Sequence, residues 1–183
     1  MTWPNLLTAA RLVAVPVIIW LIWTEHWLEA GIVFAIAALT DLADGYIAKT
    51  LNQETKLGSY LDPLADKALA VGVFVTLGLK GALPMALVFL VIGRDIAILS
   101  AVGTSKAIGH KLEIRPILIS RLNTALQFAL IAAVMTFKAI DFQAPAWVLA
   151  FALLVAATTL LSWAAYFILW VRALAEWSRE RSR

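Results

Sequence analysis

The chain contains no cysteine. Disulfides and cysteine-ligated zinc are therefore excluded, and thiol content says nothing of the redox compartment. Charge is scarce as well. Only 15% of the 183 residues are charged, against roughly a quarter in an average soluble domain. The formal net charge is +3, too small for a broad cationic face, so no nucleic-acid partner is expected. No internal repeat, low-complexity tract or dividing linker stands out, and residues 1–183 read as a single domain. No secretory leader with a cleavage site is expected.

What fills the chain instead is apolar. Hydrophobic residues make up 62%, and there are eight tryptophans, a side chain that favours membrane interfaces. Apolar runs of about 20 residues recur, the length a helix needs to cross roughly 30 Å of hydrocarbon. Six such helices are predicted: Leu6–Trp23, Ala30–Ala48, Tyr60–Leu79, Pro84–Thr104, Ile117–Phe137 and Pro145–Val171. The fold class expected is an all-α integral membrane protein of six transmembrane helices, with a polar, metal-binding cavity facing the cytoplasm. Pro16 should kink the first helix. Met1–Leu7 is an alternative interfacial stretch, and Trp177–Arg183 reads as a frayed basic tail.

Basic residues set the orientation. With the N-terminus in the cytoplasm, Arg11, Lys49, Lys56, Lys106, Lys111, Arg115, Arg121, Arg172, Arg179, Arg181 and Arg183 fall on that side, and Lys80 and Lys138 opposite. Both termini and the polar connections then face the cytoplasm, and a multi-pass protein of a bacterial inner membrane is expected.

Against this background stands the stretch "TDLADGYIAKTLNQETKLGSYLDPLADKALA", Thr40 to Ala70. Asp41 and Asp44 are three apart near the end of the second helix, so they share a face. Asp62 and Asp66 are four apart at the start of the third, again on one face. Pro63 is tolerated if it lies in the first helical turn. On antiparallel neighbouring helices the four carboxylates converge at one membrane depth. An isolated charge there costs at least a few kcal/mol, so the group needs neutralising. Hard divalent cations with oxygen ligands do this, Mg²⁺, Mn²⁺ or Ca²⁺ rather than zinc, and four carboxylates suit two ions, with Mg²⁺ or Mn²⁺ the expected pair. Gly45 and Ala48 continue the Asp41/Asp44 face without bulk, which lets a ligand approach the helix.

Asp41, Asp44, Gly45, Ala48, Gly58, Asp62 and Asp66 also stand at the spacing D-x-x-D-G-x-x-A-R, eight residues, G-x-x-x-D-x-x-x-D. In this the chain resembles the CDP-alcohol phosphotransferases. The one departure is Lys49 where the signature has Arg; Lys keeps the charge and loses the planar fork. The resemblance implies a six-helix membrane fold, usually dimeric, so a homodimer is expected. It implies a reaction in which a CDP-linked lipid gives its phosphatidyl group to a hydroxyl and CMP leaves. By position it implies Asp41, Asp44 and Asp62 as metal ligands, with Asp66 a further ligand or the general base. Asp41, Gly45, Ala48, Lys49 and Gly58 would form the CDP-binding surface.

The acceptor is read from "PNLLTAAR", from "GRDIAILSAV" and from "EIRPILISRLNTALQ". The first, together with "LGSYLDPLADK", resembles the branch that makes phosphatidylglycerophosphate and cardiolipin. In the second, Arg94 is followed by Asp95, and Val102 stands where phosphatidylglycerophosphate synthases carry a second Arg. The third resembles CMP-forming cardiolipin synthases. The expected partners are thus CDP-diacylglycerol with phosphatidylglycerol, or with glycerol 3-phosphate as the alternative, together with membrane lipids. Arg94, Arg115 and Arg121 are the candidate acceptor or phosphate contacts. For Arg94 the competing reading is an ion pair with Asp95, although adjacent helical residues point apart. Ser120 and Asn123 either hydrogen-bond a ligand or pack the helix. His26 is expected away from the aspartates, without a role. Two other classes remain open on the residues alone: a cation transporter using the carboxylates, and a structural membrane protein.

Overall fold

The computed structural model describes the backbone of residues 3–51, 58–107 and 118–181, and the side chains of 8–40, 65, 67–100 and 118–172. Over these residues the protein is six α-helices: α1 Trp3–Trp23, α2 Trp27–Leu51, α3 Gly58–Leu79, α4 Met85–Ala107, α5 Leu118–Ala139 and α6 Pro145–Arg181. Number and order match the apolar runs. Nine of the twelve boundaries differ, most by one to three residues, and three of them bear on the reading. Helix α1 is already helical from Trp3 and runs through Pro16. Helix α6 continues to Arg181 rather than fraying, because "RALAEWSRER" offers good helix formers and no Gly or Pro to stop it. Since α3 starts at Gly58, Pro63 falls in its second turn rather than its first.

Three tight turns join the helices in pairs, and each uses the same device. Glu25, Gly81 and Asp141 have positive φ, at 65°, 69° and 52°. Past each of them the chain bonds back to its helix: His26 N–H to the Leu21 carbonyl at 2.9 Å, Ala82 to Leu77 at 2.9 Å, Phe142 to Phe137 at 2.8 Å. This left-handed cap satisfies carbonyls that the helix end leaves open. The turns cluster. Lys80 Nζ donates to Glu25 Oε1 at 3.0 Å and to the Trp23 carbonyl at 3.3 Å. Lys138 sits over the Trp27 ring at 5.9 Å. All three turns, with Lys80 and Lys138, thus occupy one end of the bundle, and the helices alternate in direction.

The helices close into a ring in the order α1, α2, α5, α6, α4, α3, with α3 also reaching across to α5. Helix α1 packs on both α2 and α3, whereas α2 and α3 are not among the closely packed pairs of the described residues. Over the described residues α1 backs both of them. Near the turns the interior is apolar: Ile18 and Ile22, Phe34, Leu69, Val73 and Leu77, Leu87, Val88 and Val91, Leu130, Ile131 and Val134 are all buried. Their spacing of three or four is the helical face. Phe34 meets Phe128 edge to face at 5.6 Å and pins α2 to α5. At Gly78 an added Cβ would lie 2.8 Å from Val88 Cγ2, so glycine sets the close approach of α3 to α4.

The exterior is apolar too. Trp20, Ile36, Phe89, Leu99, Leu122, Trp147, Leu161 and Phe167 are all exposed, which water would not favour and lipid does. Among the described residues two helices, over Leu118–Ala139 and Pro145–Arg172, are long and apolar enough to cross a membrane, and Thr8–Trp23, Trp27–Thr40 and Lys67–Leu79 are shorter apolar segments.

Candidate functional site

Away from the turns the interior changes character. Thr8 and Arg11 on α1, Arg94 on α4, Asn123 and Gln127 on α5, and Thr158, Thr159 and Ser162 on α6 are all buried. With a rise of 1.5 Å per residue, Asp41 and Asp44 stand roughly 20–26 Å along α2 from Trp27, and Asp66 and Asp62 roughly the same distance back along α3 from Leu79. The backbone therefore brings the two aspartate pairs to one level, which is also the level of this polar interior. Their side chains, and those of Gly45, Ala48, Lys49 and Gly58, lie outside the described residues, as does Arg115. Among the described residues no group of three or more His, Cys, Asp or Glu is arranged to hold a metal. The donor set itself, four carboxylates on two helices at one level, fits hard divalent cations.

Arg94 is the best-defined member of the site. It is 5% exposed. One terminal nitrogen donates to Asp95 Oδ1 at 2.7 Å. The other donates to Ser162 Oγ at 2.8 Å and to Ser120 Oγ. Tyr166 offers its ring at 5.6 Å. Lys67, next in sequence to Asp66, reaches the other Asp95 oxygen at 2.6 Å. The adjacent pair Arg94–Asp95 thus does meet, because the long guanidinium arm bends back to its neighbour. Asp95 compensates two cations, one on α3 and one on α4. Arg94 Nε remains buried with no hydrogen-bond partner.

A second polar group lies between α5 and α6. Thr158 and Thr159 both approach the amide oxygen position of Asn123, at 2.8 and 3.0 Å, and both also approach carbonyls of their own helix, Thr159 to Val155 at 2.7 Å and Thr158 to Val155 at 3.0 Å. A hydroxyl has one proton to give. The count is met when the threonines donate to the carbonyls and Asn123 turns its NH₂ towards the two hydroxyl oxygens. Its carbonyl oxygen then takes the buried position that lacks a partner. Gln127 Nε2, one turn on, is buried without one as well. Buried polar atoms are nearly always paired, so three open valences in one interior, with Arg94 Nε, mark a place for a polar guest or water.

Several of these residues escape a sequence reading. Lys67, Ser162 and Tyr166 carry no motif. Arg11 reads as a topology signal but is only 3% exposed; an Arg inside an apolar run is the clue to its burial. Arg121 is exposed at the start of α5 and does not join the Arg94 cluster. Ser120 bonds Arg94, whereas Asn123 packs α5 on α6. His26 stacks on Trp20 at the turn end, far from the aspartates as expected.

Buried cations and open polar valences thus lie level with the two aspartate pairs in an otherwise apolar helical ring. A family model described as CDP-alcohol phosphatidyltransferase matches residues 1–177, and the chain belongs to that family. It is 35% identical to the cardiolipin synthase (CMP-forming) / mitochondrial hydrolase fusion protein of Schizosaccharomyces pombe, over 91% of this chain and 31% of that one. It is 38% identical to cardiolipin synthase (CMP-forming) of Rattus norvegicus, over 72% of this chain and 49% of that one. It is 33% identical to CDP-diacylglycerol--glycerol-3-phosphate 3-phosphatidyltransferase 1, chloroplastic, of Oryza sativa subsp. japonica, over 71% and 45%. The chain thus spans about half the length, or less, of these relatives.

Proposed function

We propose that this chain moves a phosphatidyl group from CDP-diacylglycerol to a hydroxyl of phosphatidylglycerol, giving cardiolipin and CMP. It does so as a six-span homodimer of a bacterial inner membrane, with its termini and site on the cytoplasmic side. The observation that carries the reading is the level shared by Asp41, Asp44, Asp62 and Asp66 with the buried Arg94 cluster. In the reaction the acceptor oxygen attacks the phosphorus that bears diacylglycerol. The bond from that phosphorus to the CMP oxygen breaks, and CMP leaves with the electron pair. The acceptor proton passes to the Asp66 carboxylate. When bound, two Mg²⁺ or Mn²⁺ ions on Asp41, Asp44, Asp62 and Asp66 supply charge neutralisation at the pyrophosphate. Gly45, Ala48 and Gly58 leave room for the nucleotide, and Lys49 offers it a point charge. Arg94, through its open Nε, together with Arg115 and with Arg121 in the first turn of α5, holds the acceptor's phosphate.

The relatives carry both synthase names, so the acceptor rests on the chain's own residues. Val102 supplies no second cation for a phosphomonoester, and "ISRLNTALQ" is similar to cardiolipin synthases. Phosphatidylglycerophosphate synthesis from glycerol 3-phosphate is the second reading. The test supplies purified protein with CDP-diacylglycerol and each acceptor separately. CMP release and cardiolipin are expected with phosphatidylglycerol, lost on adding EDTA. Asp66→Asn should lower turnover by roughly 10²–10⁴-fold, the usual share of a general base. Phosphatidylglycerophosphate as the only product refutes the acceptor; no CMP release with any acceptor refutes the transferase, and the cation-transporter reading then returns.

A further inference from the structure

At the end of the bundle opposite the aspartates lies a cavity of about 410 Å³, formed where the α3–α4 turn meets the α5–α6 turn. Lys138, Asp141 and Gln143 line it together with Pro84. Among the described residues Lys138 and Asp141 pair neither with each other nor with any other charge. Asp141 Oδ1 takes only a long bond from Gln143 Nε2, 3.4 Å. Two unlike charges therefore face one space without meeting.

Phe137 and Val148 line this cavity and also a second, apolar one of about 510 Å³ that runs between α5 and α6. That groove reaches from Phe137 to Leu126, about 16 Å along the helix. This is half the roughly 30 Å hydrocarbon thickness, the depth of one leaflet. A polar chamber at the membrane face opening into a leaflet-deep apolar groove has the shape of one phospholipid.

We propose that this is a lipid-binding site, separate from the reaction site, for one phospholipid with a zwitterionic phosphoethanolamine head. The phosphate pairs with Lys138, the ammonium with Asp141 and the Gln143 carbonyl, and one acyl chain lies in the α5–α6 groove. The charges select the head. A phosphatidylglycerol head carries the same phosphate but offers Asp141 only neutral hydroxyls in place of an ammonium, so the charge-assisted bond is lost. A choline head has no N–H to donate to Asp141 or Gln143. The inference rests on the reading of the chain as a membrane-spanning transferase, and its readout is independent of turnover.

The test is native mass spectrometry of the full chain, released from micelles holding equal amounts of phosphatidylethanolamine, phosphatidylglycerol and phosphatidylcholine, with CMP release measured on the same preparations. One phosphatidylethanolamine per chain is expected, held about tenfold better than either competitor. The double variant Lys138→Gln, Asp141→Asn should lose that preference while CMP release continues. Ala133→Phe, which fills the groove, should lose the lipid with the head site intact. Equal retention of the three lipids by the unaltered protein overturns the proposal even if a variant fails to fold. So does undiminished retention by the double variant, or cross-linking that seats a second copy on the groove. Absence of CMP release with the lipid retained counts against the transferase reading alone.

Discussion

Asp95 is a single carboxylate serving two cations, and its removal is the sharpest test of how the polar interior is held. Arg94 is 6% exposed at its side chain and Asp95 14%, so their 2.7 Å contact is screened little by solvent. Breaking a buried pair from one side costs about 3–5 kcal/mol, because the remaining charge is stranded. Lys67 is 35% exposed, and its share should be below about 1 kcal/mol. Asp95→Leu is thus expected to lose about 3–5 kcal/mol, with Ser120, Ser162 and the Tyr166 ring left as neutral partners of the guanidinium. The double variant Arg94→Met, Asp95→Leu removes the stranded charge and should be more stable than Asp95→Leu alone. Reversible unfolding in mixed micelles, titrated with SDS, reads both numbers. If Asp95→Leu lies within about 1 kcal/mol of the unaltered protein, or if the double variant equals the sum of the singles within about 0.5 kcal/mol, the pair is not the buried, coupled unit argued here.

The glycines give two further tests in the same assay. Gly78→Ala should cost about 1–3 kcal/mol, since its Cβ would meet Val88 at 2.8 Å and Met85 Sδ at 3.2 Å; a neutral result means α3 and α4 part easily. Gly81 and Gly93 both have open space around a new Cβ, but only Gly81 has positive φ, +69°. Gly81→Ala should therefore lose about 1 kcal/mol and Gly93→Ala gain about 0.5–1 kcal/mol; a shift of the same sign for both removes backbone conformation as the cause.

Much of the ring was legible in the residues because an apolar run near 20 residues long has few other uses. The ends were less so. Nothing apolar distinguishes "RALAEWSRER" from a tail, and only helix propensity carries α6 through it to Arg181. The level of the four aspartates followed from helical spacing alone. The arrangement around them did not. That α1 separates the supports of α2 and α3 is a matter of packing, which no local pattern encodes. Lys67 meets Asp95 across two helices, and Ser162 meets Arg94 from far along the chain; neither pairing leaves a trace in spacing. Arg94 itself was visible as a costly charge, and its ion pair with Asp95 is observed: Asp95 takes one terminal nitrogen and the two serines the other, while Nε stays open.

The three left-handed caps carry a consequence for how the other end can move. Every tight turn among the described residues, and most of the greasy packing, is gathered at one end, so the helices are clamped there like the tines of a fork at its handle. Spreading the tips to let a bulky guest slide in sideways would bend long rods slightly and would break none of these turns. Admission is then an elastic matter, with the handle holding its shape through each cycle.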